Sequence, residues 1–132
     1  LDPLLSNRAD SSYVLTGDFN SLSPDDNYNS EVLLKEFSRF SSDPSRVVDS
    51  LLERKLVSHI LNSGLVDAFP VSKRYSTVPT SSKYGVLVNG MRVDYFFVSP
   101  DVKVIDSYVI KNDFAEKASD HYPIVTILDL WF

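Results

Sequence analysis

The order of the apolar patterns constrains this chain more than any other feature. A compact apolar run, Tyr13-Val14-Leu15-Thr16, ends at Gly17 and reads as a buried strand. Two stretches at helical spacing follow. Ser30 caps the first, in which Val32, Leu33, Leu34, Phe37 and Phe40 recur on one side. Asp43-Pro44 opens the second, an N-cap with proline at the first helical position, and Val47, Val48, Leu51, Leu52, Leu56, Ile60 and Leu61 form its apolar face up to a stop at Gly64. The chain then returns to strands: Val93 to Val98, closed by Ser99-Pro100; Val102, Val104 and Ile105 to Ile110; and Ile124 to Leu130. Leu1, Leu4 and Leu5 read as the end of a helix, and residues 17–29 and 70–91 as loops, the latter with room for one short strand. One strand, two helices and then several strands make a mixed α/β class.

At 132 residues the length fits one domain with a real core. There is no cysteine, which excludes disulfide frameworks, thiolate zinc sites and thiol nucleophiles. Only His59 and His121 offer imidazole chemistry, and His59 falls inside the second helix among core positions, where a packing or surface role is expected. A net charge of -5 argues against coating nucleic acid through overall charge, though not against a local basic patch. No apolar run approaches the roughly 18–20 residues of a membrane span. No basic and apolar leader follows Leu1, so no signal peptide is read.

Polar chemistry concentrates in three segments at strand ends: Gly17-Asp18-Phe19-Asn20, Arg92-Val93-Asp94-Tyr95 and Ser119-Asp120-His121-Tyr122-Pro123. Three carboxylates, an amide and an imidazole suit metal-assisted hydrolysis. Carboxylates hold a hard cation, while an amide and an imidazole orient water and stabilise a developing oxyanion. Each signal alone is weak. Asp18 after a glycine is the mark of a turn. Asp94, set among apolar residues, needs a partner, and an ion pair with Arg92 stands beside a functional role. Ser119-Asp120-His121 is no serine triad, because sequence neighbours rarely converge in space. Asp25 and Asp26 either reach a metal or lie in a solvated loop. Tyr95 and Phe97 read as sheet-packing aromatics, with Phe96 on the other side.

Taken in order, GDFN, RVDYFFVSP and SDHYPI resemble the endonuclease/exonuclease/phosphatase superfamily, the deoxyribonuclease-I-like hydrolases. Gly64-Leu65-Val66-Asp67-Ala68 is similar to the family's segment between the second and third of its motifs. The resemblance covers the chain from residue 13 onward but only the second half of the family's domain. It implies the C-terminal half of a two-sheet α/β sandwich, its strands flanked by helices. In that reading the partner is the missing N-terminal half of the same domain, which carries the metal-binding glutamate. Glu31, Glu36, Glu53 and Glu116 all follow GDFN and cannot stand in for it by position.

The resemblance also implies roles. Asp18 positions or deprotonates the attacking water, and Asn20 contacts the scissile phosphate. Asp94 orients His121, which stabilises the transition state, and Asp120 associates with the divalent cation, Mg²⁺ or Mn²⁺. The substrate is a phosphoester, and the 132-residue chain alone is expected to be inactive. The alternative is a non-catalytic binding or scaffold module, against which the retention of all five residues argues.

The substrate class is open among nucleic acid, phospholipid and sugar phosphate. The inositol phosphatases' tryptophan-cysteine-aspartate-arginine signature is absent, since that stretch here is Val88-Asn89-Gly90-Met91-Arg92-Val93. Residues 70–93 carry Lys73, Arg74, Lys83 and Arg92 with no acid. With Tyr75 and Tyr84 interleaved and Thr77 and Thr80 as hydroxyl donors, they are expected to form the phosphate-facing side of the groove, an ordinary solvated loop being the alternative.

Overall fold

The computed structural model describes residues 1–6, 11–39, 41–79 and 90–130. Helix α1 (Asp2–Ser6) leads into strand β1 (Val14–Asp18), helices α2 (Ser30–Phe37), α3 (Pro44–Glu53) and α4 (Lys55–Asn62), and strand β2 (Val66–Asp67). A 3₁₀ turn (Val71–Lys73), strands β3 (Asp94–Val98) and β4 (Lys103–Val109), helix α5 (Asp113–Ala118) and strand β5 (Ile124–Asp129) complete the order. The strands form two antiparallel sheets, one in the order β1-β3-β2 and the other pairing β4 with β5. This is an α/β fold with helices flanking two sheets.

Alternation along β3 divides the core. Tyr95 and Phe97 point to one face, where they pack with Val57 and Ile60 of α4 and with Leu5 and Leu65. Phe96 and Val98 point to the other, toward the second sheet, and share a cluster with Ala68, Val102, Val104 and Leu128. Asp94 lies on this second face, at the end of the space between the sheets. A third cluster, built from Leu22, Leu33, Val48, Val78, Met91 and Val93, fixes α2 and α3 against the segments that enter β3. Each fully buried large side chain contributes about 1.5–3 kcal/mol, so these clusters anchor the strand end where Asp94 sits.

Several sequence expectations change in detail. β1 is not buried: it is an edge strand, and Val14, Thr16, Gly17 and Asp18 are exposed because β3 is its one strand partner among the described residues. The cap of α2 is Asn29 rather than Ser30, its Oδ1 accepting from the N–H groups of Glu31 and Val32. Asp43 caps α3 as expected, with Pro44 in the first turn. The long second helix is two helices, broken at Arg54, whose backbone is left-handed at φ 53°. The break turns the Arg54 guanidinium onto the carbonyls of Ser23, Pro24 and Asp26. The loop after Pro70 opens with a 3₁₀ turn, and α5 forms in residues 113–118, which the sequence reading left unassigned.

Candidate active site

The β1–β3 register sets Asp18 directly opposite Asp94. Like charges facing each other across a strand pair repel, so this juxtaposition needs a cation or a donor between them. His121 supplies it from the loop that enters β5. Its Nδ1 lies 2.8 Å from Asp94 Oδ2, and its Nε2 lies 3.7 Å from Asp18 Oδ2. The first is a hydrogen bond. The second is too long for one and leaves Nε2 without a hydrogen-bond partner among the described residues. The ligand-capable atoms of the three residues all fall within 4.8 Å of one another.

The loops around this group are locally determined. Asn20 takes a left-handed backbone at φ 46°, a conformation asparagine tolerates, and its N–H donates to Asp18 Oδ1 at 2.8 Å, tying the GDFN turn to the carboxylate. Thr77 is fully buried. Its hydroxyl accepts from the N–H groups of Val93 and Asp94, and its carbonyl accepts from Tyr122 N–H at 2.7 Å. Thr77 therefore joins the start of β3 to the segment carrying His121. It is a scaffold residue, not the exposed hydroxyl donor to substrate expected from sequence.

Electrostatics follow from this geometry. Burial pulls the His121 pKa down. The hydrogen bond to Asp94 and the charges of Asp94, Asp18 and Asp120 outweigh that and raise it above the ordinary imidazole value. The folded pKa thus exceeds the unfolded one. The protonated imidazole contributes stability that is complete below the unfolded pKa of about 6.5 and is lost as pH rises through the higher folded value. By NMR, the His121 ring should titrate above that reference value, and Asp94→Asn should lower its midpoint. A midpoint indifferent to Asp94 would break the pairing.

The remaining expected site residues lie apart or in other roles. Asp120 is half-buried beside His121, and its Oδ1 is 3.4 Å from the Ser119 hydroxyl. It is not one of the three clustered ligands. The expectation that Arg92 contacts substrate is corrected. Its side chain is 2% exposed, makes two hydrogen bonds to Asp26 at 2.8 and 3.0 Å, approaches Asp67, and lies over the Tyr95 ring on the face opposite Asp94. Asp26 is accordingly an ion-pair partner of Arg92, and Asp94 pairs with His121 instead. Lys73 pairs with Asp106 of β4, while Arg74 donates to the Phe69 carbonyl and faces Asp67. Neither is brought to Asp18 or His121; a 540 Å³ cavity between β2 and β4 includes Arg74 in its lining but none of the clustered residues. Thr80, Lys83 and Tyr84 lie outside the described residues. His59 sits on the surface of α4 with Nε2 2.5 Å from Asp2 Oδ1.

A family model described as the endonuclease/exonuclease/phosphatase family matches residues 2–121, a span that includes all three polar segments and ends on His121. The chain belongs to the endonuclease/exonuclease/phosphatase family. Neither the curated proteins nor the solved structures yield a match. Endonuclease/exonuclease/phosphatase proteins are in general hydrolytic enzymes that depend on a divalent cation. The donors present suit a hard cation: two facing carboxylates, the Asn20 amide and the neighbouring Asp120 are oxygen ligands, and Mg²⁺ is commonly held by one or two carboxylates with water and substrate phosphate completing its shell. A hard cation prefers these oxygen donors to the His121 imidazole.

Proposed function

We propose that this chain carries the water-activating and transition-state-stabilising half of a phosphoester hydrolase site. The supporting observation is the disposition of His121, held by Asp94 through Nδ1 with Nε2 turned toward Asp18 and unspent. With Asp94 accepting from Nδ1–H, the imidazolium presents Nε2–H to a non-bridging phosphoryl oxygen, where negative charge grows as water attacks. Asp18 is exposed and has one oxygen, Oδ2, free of the Asn20 turn, so it can orient that water and accept its proton. The exposed Asn20 amide donates to the phosphate from the adjacent turn. Asp120, together with an acidic ligand from outside this chain, would hold Mg²⁺ or Mn²⁺, which when bound neutralises phosphate charge and polarises the phosphoryl group.

The uncovered edge of β1, with Val14, Leu1 and Leu4 exposed nearby in sequence, favours a partner polypeptide on that side of the sheet. In this reading it is the N-terminal half of the same domain, supplying the acidic ligand that follows no motif here. The test compares the 132-residue chain with the full-length protein that contains it, on phosphodiester and phosphomonoester substrates. The longer protein should hydrolyse one class in a Mg²⁺-dependent way, lose activity with chelator and regain it with Mg²⁺, whereas the isolated chain should show no turnover. Robust hydrolysis by the isolated chain, or metal-independent hydrolysis by the longer one, would overturn the proposal.

A further inference from the structure

Of the cations that sequence reading assigned to substrate, Lys73, Arg74 and Arg92 are engaged elsewhere, but one it did not consider neighbours the segment that carries His121. Lys111 follows β4, and its ammonium lies 5.1 Å from the centre of the Tyr75 ring and 5.6 Å from that of Tyr122, the residue after His121. Among the described residues no carboxylate lies within ion-pair distance of it. Lys73, Arg74 and Arg92 all face aspartates.

The platform beneath Lys111 is tied to the catalytic pair by hydrogen bonds. Ile110 N–H donates to the Pro123 carbonyl at 2.9 Å, and Tyr122 N–H donates to Thr77, whose hydroxyl accepts from Asp94 N–H. Tyr122 is buried and bonded to Glu116 of α5, whereas Tyr75 keeps a large exposed area.

We propose that Lys111, held between Tyr75 and Tyr122, is a subsite for a second phosphate of the substrate, next to the phosphoester presented to His121. The two rings already receive a cation, so a cationic group such as choline is repelled, while an anion meets an ammonium with no internal partner. Burial alone pulls the Lys111 pKa below its ordinary value, the sign of a charge that a bound anion would stabilise. The substrate class that follows has phosphates in series, a strand or polyphosphorylated chain, rather than a single phosphodiester. This inference rests on the proposed site at Asp18 and His121.

The experiment uses the full-length protein with inorganic pyrophosphate as probe. NMR should show the Tyr75 ring and Lys111 side-chain signals moving on addition of pyrophosphate, equally in the His121→Ala protein, and choline should leave them in place. Lys111→Gln should weaken pyrophosphate binding about tenfold and raise KM similarly for a substrate with serial phosphates, with kcat within about twofold of the parent. For a nucleic-acid strand the salt dependence should lose about one unit of slope. Unchanged pyrophosphate binding in Lys111→Gln, or signals that respond to choline instead, would overturn the subsite. Full activity in His121→Ala would instead refute the catalytic assignment, while pyrophosphate binding at Lys111 would still be read directly.

Discussion

In the full-length protein, His121→Ala is expected to lower kcat by about 10² to 10⁴ while leaving KM within a few-fold. The expectation comes from where the imidazole spends its hydrogen bonds. Nδ1 is committed to Asp94, and among the described residues Nε2 has no hydrogen-bond partner, because Asp18 Oδ2 at 3.7 Å is within ion-pair distance but beyond hydrogen-bond reach. A donor without a ground-state bond has most to gain when charge accumulates on the phosphoryl oxygen, so its loss appears in kcat. Asp94→Asn should give a smaller fall, since an amide still accepts from Nδ1–H but no longer supports the imidazolium by charge. Its activity should decline at lower pH than that of the parent, in step with the lowered His121 pKa. A His121→Ala protein with raised KM and unaltered kcat would make His121 a ground-state binding residue and remove it from the chemistry.

The parts of this site legible in the sequence are those set by short-range pattern. Alternation across Val93 to Val98 correctly separates Tyr95 and Phe97 from Phe96, and Asp43-Pro44 and Gly64 mark helix ends that the structure retains. The family resemblance carried by GDFN, RVDY and SDHY implied Asp94 and His121 as a pair, and they are hydrogen-bonded. What was illegible depends on register and on long-range charge. Nothing in the sequence says that Asp18 faces Asp94 across two strands, since register is fixed by pairing. Arg92 looked like a phosphate contact because its two nearest acids in space, Asp26 and Asp67, are 66 and 25 positions away in the chain. The break at Arg54 was hidden for a similar reason: its guanidinium binds three carbonyls of the loop after GDFN. Lys111 gave no local signal, as its rings come from Tyr75 and Tyr122 on separate segments.

The largest stability effect is expected at Arg92. Burial pulls its pKa down, yet its hydrogen bonds to Asp26 and the charges of Asp26 and Asp67 raise it above the ordinary guanidinium value, so the buried charge is compensated. The compensation is uneven. Asp26 takes two aligned hydrogen bonds, whereas the 2.7 Å approach to Asp67 Oδ2 is an ion contact without hydrogen-bond alignment, and Nη1 has no partner. Arg92→Met keeps the aliphatic stem near Tyr95 but strands Asp26, 11% exposed, and leaves Asp67, 3% exposed, with only the 3.6 Å approach of Arg74 Nε as a cation. Removing one partner of a buried ion pair costs about 3–5 kcal/mol, so a denaturant midpoint should fall by that amount divided by m. The loss should be local in origin. Tyr95 donates its hydroxyl to the Ser21 carbonyl and Arg92 N–H donates to the Tyr28 hydroxyl, so the loop from Ser21 to Tyr28 is fastened to β3 at both ends and Asn20 stands at its entrance. Amide exchange in that loop should accelerate before exchange in β4 and β5. Adding Asp26→Asn and Asp67→Asn to Arg92→Met should restore much of the stability, because the stranded charges go with the cation. A single Arg92→Met variant that loses less than about 1 kcal/mol would mean that water reaches these carboxylates, and the ion pair would then count as a surface one.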